Sequence, residues 1–110
     1  MPSIEQLERL LALDPNDAFV LYGLAQEHAK AGDTAQAIAL YDRCLVADPS
    51  YCYAYYHKAR ALEAAGQTSD ALASLRLGAE AAQQHQDAKA AGEIAEYLAV
   101  LSGSSLSDNA

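Results

Sequence analysis

Ala31-Gly32-Asp33-Thr34 returns 34 positions later as Ala65-Gly66-Gln67-Thr68, and the same interval separates Asp14-Pro15 from Asp48-Pro49. Two unrelated turn signals recurring at one interval mark a copied supersecondary unit. Glycine ends a helix because it enters the left-handed region without strain. Proline cannot continue the helical ladder, and it disfavours helix at the residue before it. Each unit therefore predicts two helices divided by the glycine turn, with the Asp-Pro turn leading into the next unit.

Working outward, Ser3 caps a first helix in which Ile4, Leu7, Leu10 and Leu11 fall at helical spacing until Asp14-Pro15. A second helix spans about 17–31, with Val20, Leu21, Leu24, Ala25 and His28 on its inner side. Thr34 is the expected cap of a third, whose inner face carries Ala37, Ile38, Tyr41, Cys44 and Leu45. Ser50 is the expected cap of a fourth, holding Tyr55, Tyr56, Ala59 and Leu62, and Thr68 that of a fifth, with Ala71, Leu72, Leu75, Ala79 and Ala82. No proline stands at Gln83, so the fifth helix is expected to run longer. Asp87 then caps a sixth, with Ala88, Ala91, Ile94, Ala95, Leu98 and Leu101 spaced by three and four. Residues 103–110 are polar and expected to be disordered.

The 110 residues make one domain, and folding buries somewhat over ~60% of the surface that the unfolded chain exposes. Alanine, leucine, glutamine and glutamate dominate, with three prolines and six glycines, which favours an all-α protein. The formal charge is −8, divided as −2 over 1–15, −3 over 16–49, 0 over 50–83 and −3 over 84–110. That distribution carries no basic footprint, so no nucleic acid is expected as partner. No uncharged apolar run approaches a membrane span, so no membrane partner is expected either. No basic start followed by an apolar stretch announces a secretory signal. Cys44 and Cys52 are too few for a disulfide framework and read as free thiols of a reducing, cytoplasmic compartment.

Units 16–49 and 50–83 agree at Tyr22/Tyr56, Ala25/Ala59, Ala31/Ala65, Gly32/Gly66, Thr34/Thr68, Ala37/Ala71, Ala39/Ala73 and Ala47/Ala81. These are mostly small residues, which let helices approach, and turn residues, which set the hairpin. The first unit reads Leu21-x2-Leu24-Ala25-x2-His28, then Ala37-x3-Tyr41, then Pro49. The second reads Tyr55-x2-Lys58-Ala59-x2-Leu62, then Ala71-x3-Leu75, then Gln83. The pattern resembles the tetratricopeptide repeat, a 34-residue helix–turn–helix unit. It departs from that family in Leu21 and Tyr55 for tryptophan, Ala25 and Ala59 for glycine, and His28 for tyrosine.

The resemblance covers about 3–83 and implies a right-handed α-α superhelix of about six helices. Its parts are a half repeat at 3–15, repeats at 16–49 and 50–83, and a capping helix at 87–101, together a single domain over 1–102. A terminal repeat exposes a sticky face, and Ile94, Leu98 and Leu101 are placed to cover it.

Candidates for chemistry are few. His28, His57 and His85 occupy different repeat positions without the close pairs that announce zinc, so no metal and no other cofactor is expected. His28 reads as a half-buried packing residue, and His57 and His85 as surface side chains. Cys44 sits at a small-residue position matching Gly78. Cys52 opens the fourth helix, where the dipole would favour its thiolate, but His57 is on another face and supplies no base. Phosphate loops, nucleophile elbows and paired carboxylates are lacking, so the chain is read as no enzyme.

In the family, the first helix of each hairpin lines a concave groove. Here that places Phe19, Tyr22, Gln26 and Lys30 beside Tyr53, Tyr56, Arg60 and Glu63, with four rings in two rows. Tyrosine gives large rigid contact area with a polar tip, and Arg60 adds a charged contact. Each ring has a rival role, packing against the neighbouring hairpin. Tyr41 and Tyr55 are assigned to the core, and Tyr97 to the closing helix as a partly exposed packing residue. Some family members clamp a partner's C-terminal carboxylate with lysine, asparagine and arginine. The groove lacks that Lys and Asn pair, so clamp-type capture of a chaperone tail is not expected. The expected function is a protein or peptide interaction scaffold, active as a monomer. The alternative is a self-associating subunit, a homodimer in the simplest case, using the open apolar side of the first helix.

Overall fold

The computed structural model describes the backbone of residues 2–109 and the side chains of 2–103. Within them the chain forms six helices and no strand: α1 (Ile4–Leu13), α2 (Ala18–Lys30), α3 (Thr34–Ala47), α4 (Cys52–Ala64), α5 (Thr68–Gln84) and α6 (Ala88–Asn109). Consecutive helices pack as antiparallel neighbours, and α4 also touches both α2 and α6. The first helices of successive hairpins thus line one side of a block 50 × 31 × 21 Å. This is the all-α superhelix expected from the repeat.

The joints explain the interval. Asp14 and Asp48 end their helices with the same dihedrals, φ −146° and ψ 93°. Each aspartate's Oδ1 then accepts an amide two residues on, across the proline: Asn16 N at 3.2 Å and Ser50 N at 3.0 Å. Such side-chain turns are what aspartate offers in place of another helical bond. Gly32 and Gly66 take φ of +84° and +79°. The following amides, of Asp33 and Gln67, donate back to His28 O and Leu62 O, both at 2.9 Å. Ser3 and Gln6 exchange a capping box at the start of α1, with Gln6 Oε1 accepting from Ser3 N at 2.8 Å.

Three expected caps are displaced. Asp33, not Thr34, caps α3, its carboxylate accepting from Gln36 N at 3.3 Å. Gln67, not Thr68, precedes α5 and makes no side-chain cap bond. Ser50 does not cap α4, because its hydroxyl is spent on Asp48 at 2.6 Å, and Tyr51 takes the cap position without a side-chain bond. Asp87 does cap α6, accepting from Ala90 N at 3.0 Å.

Two apolar clusters fill the interior. Leu7, Val20, Leu21, Leu24, Leu40 and Tyr41 anchor the first, and Leu62, Leu75, Ile94 and Leu101 the second. Ile38 packs against both and joins them. Burying each large aliphatic side chain is worth about 1.5–3 kcal/mol. The aligned alanines Ala25, Ala37, Ala59 and Ala71 are wholly buried, as close helix approach requires. On α6 the inner face differs from expectation: Ala90 is buried, whereas Ala88 and Ala95 are exposed. The α6 backbone also runs past 101 to Asn109, since no proline interrupts it. Side chains of 104–110 lie outside the described residues, and with them the expectation of a disordered tail over 103–110.

Candidate functional site

The repeat spacing puts α2, α4 and α6 side by side, and one line of rings crosses all three. Tyr22 on α2 packs at a tilt against Tyr51 (4.8 Å between centroids) and meets His57 of α4 edge-on at 5.8 Å. His57 meets Tyr56 at 5.1 Å, and Tyr56 meets Tyr97 of α6 at 5.3 Å. Tyr53 branches from Tyr56 at 6.5 Å. Edge-to-face and tilted pairs at these distances add to the stabilisation from area alone. Instead of the four rings in two rows expected from the sequence, the rings form one connected row that takes in Tyr51, His57 and Tyr97.

Phe19 does not join it. It stands in the first turn of α2 with 73% of its surface exposed. Tyr41 is buried as expected, lying beneath Tyr22 at 6.1 Å. Tyr55, expected in the core, is half-buried, and its hydroxyl escapes to donate to Pro49 O at 3.0 Å. His57, expected at the surface, is half-buried between two rings.

Two clefts flank the row. The one between α2 and α4, about 350 Å³, is lined by Gln26, Lys30, His57 and Arg60 over a floor of Tyr41 and Ala61. The structure thus brings together Gln26, Lys30 and Arg60, as the sequence placed them. Lys30 is held by Glu27 at 3.0 Å. The other cleft, between α4 and α6, also about 350 Å³, is lined by Tyr56, Glu93, Glu96, Tyr97 and Val100. Glu63 accepts the Tyr97 hydroxyl at 2.6 Å, tying α4 to α6.

Titration follows burial. The Tyr22 hydroxyl is pushed up to about 12, mainly by desolvation and then by Tyr51. Tyr97 is raised by desolvation and by its bond to Glu63, and Tyr53 by desolvation and the Glu93 carboxylate beside it. His57 is lowered, first by burial and then by Arg60, with Glu93 opposing. All of these rings stay neutral near pH 7.

Neither cysteine is activated. Cys44 is pushed up to about 12 by burial. The dipole argument for Cys52 fails: burial and Asp87 raise its thiol, and Sγ lies 3.3 Å from Ser50 O. Both are free thiols. No three His, Cys, Asp or Glu side chains among the described residues converge as metal ligands. No helix, among those residues, is long and apolar enough to cross a membrane.

The sequence reading missed His57, Tyr51, Glu93 and Glu96. For His57 the repeat gave no clue, because Gly23 holds the equivalent place. For the α6 residues the clue was that a sixth helix must stand where a third first-helix would.

An array of antiparallel helical hairpins with first helices side by side defines a class of helical-repeat proteins. Family models described as tetratricopeptide repeat match residues 28–93 and 3–51. The chain belongs to the tetratricopeptide repeat family. No curated protein matches it. Among solved structures it is similar to a tetratricopeptide repeat domain protein of Salinibacter ruber, at 33% identity and a TM-score of 0.76, covering 82% of this chain and 91% of that one. The TPR2B domain of yeast Sti1, in a complex with pHsp70, gives 24% identity and a TM-score of 0.85 over 92% of this chain and 81% of that one. The Yersinia enterocolitica type III secretion chaperone SycD, in complex with a peptide of the translocator YopD, gives 21% and 0.82 over 93% and 79%. At those lower identities the likeness is one of fold.

Proposed function

We propose that the chain is a non-enzymatic interaction scaffold whose groove, formed by α2, α4 and α6, holds a segment of a partner protein. The observation that carries this is the line of rings from Tyr22 to Tyr97 with a cleft on each side. Neutral, half-buried rings give rigid contact area, and polar side chains at the cleft walls give orientation. Gln26, Lys30, Tyr53, Tyr56, Arg60 and Glu63 are the contact residues, with Tyr22 in the row of rings and Phe19 as an outlying apolar contact. Sti1 and SycD, with their pHsp70 and YopD peptide complexes, support a peptide ligand for this fold. Two unactivated free thiols fit a reducing compartment, the cytoplasm. The groove crosses only three helices, so modest affinity is expected.

The test is selection of displayed random peptides on the wild-type chain, followed by binding to a Tyr53→Ala, Arg60→Ala variant whose melting is checked. Peptides that lose the variant but not the parent support the groove. Peptides that bind both equally place the site elsewhere. Should that variant unfold, Ala29→Trp fills the α2–α4 cleft from an exposed position and gives the same comparison.

A second reading, self-association, rests on α1, where Leu10 and Leu13 are exposed beside Pro2, Gln6 and Arg9. Light scattering at micromolar concentration decides it: a monomer removes the reading.

A further inference from the structure

The two clefts of the groove carry opposite charge. The cleft between α2 and α4 is lined by two cations, Arg60 and a Lys30 that pairs with Glu27 at 3.0 Å, and no carboxylate is among its lining residues. That is notable in a chain of net charge −8. Arg60 forms no ion pair with a described residue. The cleft between α4 and α6 is lined by two carboxylates, Glu93 and Glu96, and by no cation. Its other walls are the Tyr56 and Tyr97 rings, surfaces on which the stem and charge of a lysine or arginine rest favourably. The adjacent residues Tyr56 and His57 separate the two clefts.

Resting on the groove reading above, the geometry points to an occupant of defined chemistry: an extended segment bearing one acidic and one basic side chain about three residues apart. The acid meets Arg60, with the Glu27-paired Lys30 beside it, and the base enters between Glu93 and Glu96 over Tyr56 and Tyr97. The spacing follows from scale. Packed helix axes lie about 8–10 Å apart, and an extended chain advances about 3.3–3.6 Å per residue. A segment crossing from one cleft to the next therefore spends about three residues. Opposed charge zones also reject segments of a single sign, since one of the two clefts then faces a like charge.

The experiment uses fluorescently labelled, end-blocked decapeptides with an apolar filler and central Glu-x-x-Lys, Lys-x-x-Glu, Glu-x-x-Glu, Lys-x-x-Lys or Gln-x-x-Gln. Binding to the full chain is read by anisotropy at low and high salt. One of the two mixed-charge orders is expected to bind about five- to tenfold more tightly than either single-sign peptide, with the margin shrinking as salt rises. Arg60→Glu is expected to shift preference to Lys-x-x-Lys, and Glu93→Lys with Glu96→Lys to Glu-x-x-Glu. If all five peptides bind alike and still compete with groove-selected peptides, the groove stands and the charge pairing is overturned. Unchanged preference in both folded variants, or no binding by any of the five, overturns it too. Because preference is a ratio, a variant with lowered stability still reports.

Discussion

A Cβ placed on Gly78 would lie 2.8 Å from the Tyr55 Cβ and 3.2 Å from Ile94 Cδ1. The equivalent pair in the preceding hairpin is Cys44 with Leu21, both buried. A larger residue on the first helix is thus matched by a smaller one on the second. Gly78→Ala should cost about 1–3 kcal/mol through overpacking, against a helix-propensity gain of about 1 kcal/mol. Urea denaturation reads the balance. Adding Tyr55→Leu should recover part of the loss, and a Gly78→Ala chain as stable as the parent would show that α4 and α5 separate freely.

Ile94 has no exposed surface and lies in the same cluster as Leu75 and Leu101. Ile94→Ala should cost about 2–5 kcal/mol, while the exposed Val100→Ala should stay within about 0.5 kcal/mol of the parent. Ending the chain after Gln86 removes Ala90, Ile94 and Leu101 from the cluster at once. The expected outcome is aggregation or loss of cooperative melting, seen by light scattering and calorimetry. A shortened chain as soluble and as stable as the parent would mean that α6 closes nothing.

Gln86 is the only described non-glycine residue with positive φ, at 55°. It does at the α5–α6 joint what Gly32 and Gly66 do at theirs, and Asp87 N donates to Ala82 O at 2.9 Å in the same way. A left-handed non-glycine residue carries about 1–2 kcal/mol of strain, and glycine's extra unfolded freedom offsets about 0.5–1 kcal/mol of the relief. Gln86→Gly should therefore stabilise the chain by up to about 1.5 kcal/mol. A lowered melting temperature would show that the Gln86 side chain contributes something its backbone does not reveal.

That joint also shows what was legible in the sequence. Asp-Pro and Ala-Gly are local signals, and each turn they announce is made by the residues named, through an aspartate carboxylate or a glycine φ. Gln86 sends no such signal. Asp17 to Tyr51 is 34 residues, but Tyr51 to Asp87 is 36, so the shift that aligned α2 with α4 loses α6. Glu93 and Glu96 consequently escaped notice as groove residues, although Gln26, Lys30 and Arg60 did not. Caps slipped by one residue at Asp33-Thr34, where two good cap formers stand side by side. Phe19 shows the limit of alignment: it matches Tyr53 in register, yet Tyr53 has Tyr56 beside it and Phe19 pairs with no ring among the described residues.

His57 gives the groove a pH signature. Its ring lies between Tyr22 and Tyr56, and the charged groups acting on it are Arg60, which disfavours protonation, and Glu93, which favours it. Burial is the largest effect, and the ring titrates below its ordinary value of about 6.5. Between that value and the lower folded one, the unfolded chain binds more protons than the folded chain. The His57 contribution is therefore complete above about pH 6.5 and is lost as pH falls through the folded value. Carboxylates titrate over the lower part of the same range, so the comparison must be with a chain lacking only this group. His57→Phe keeps a ring in the row and removes the proton site. Melting of both chains at pH 7.5 and pH 5 should show the parent losing more stability on acidification than the variant. Equal losses would mean that the imidazole is solvated in the fold and that the row of rings is open to water at its middle.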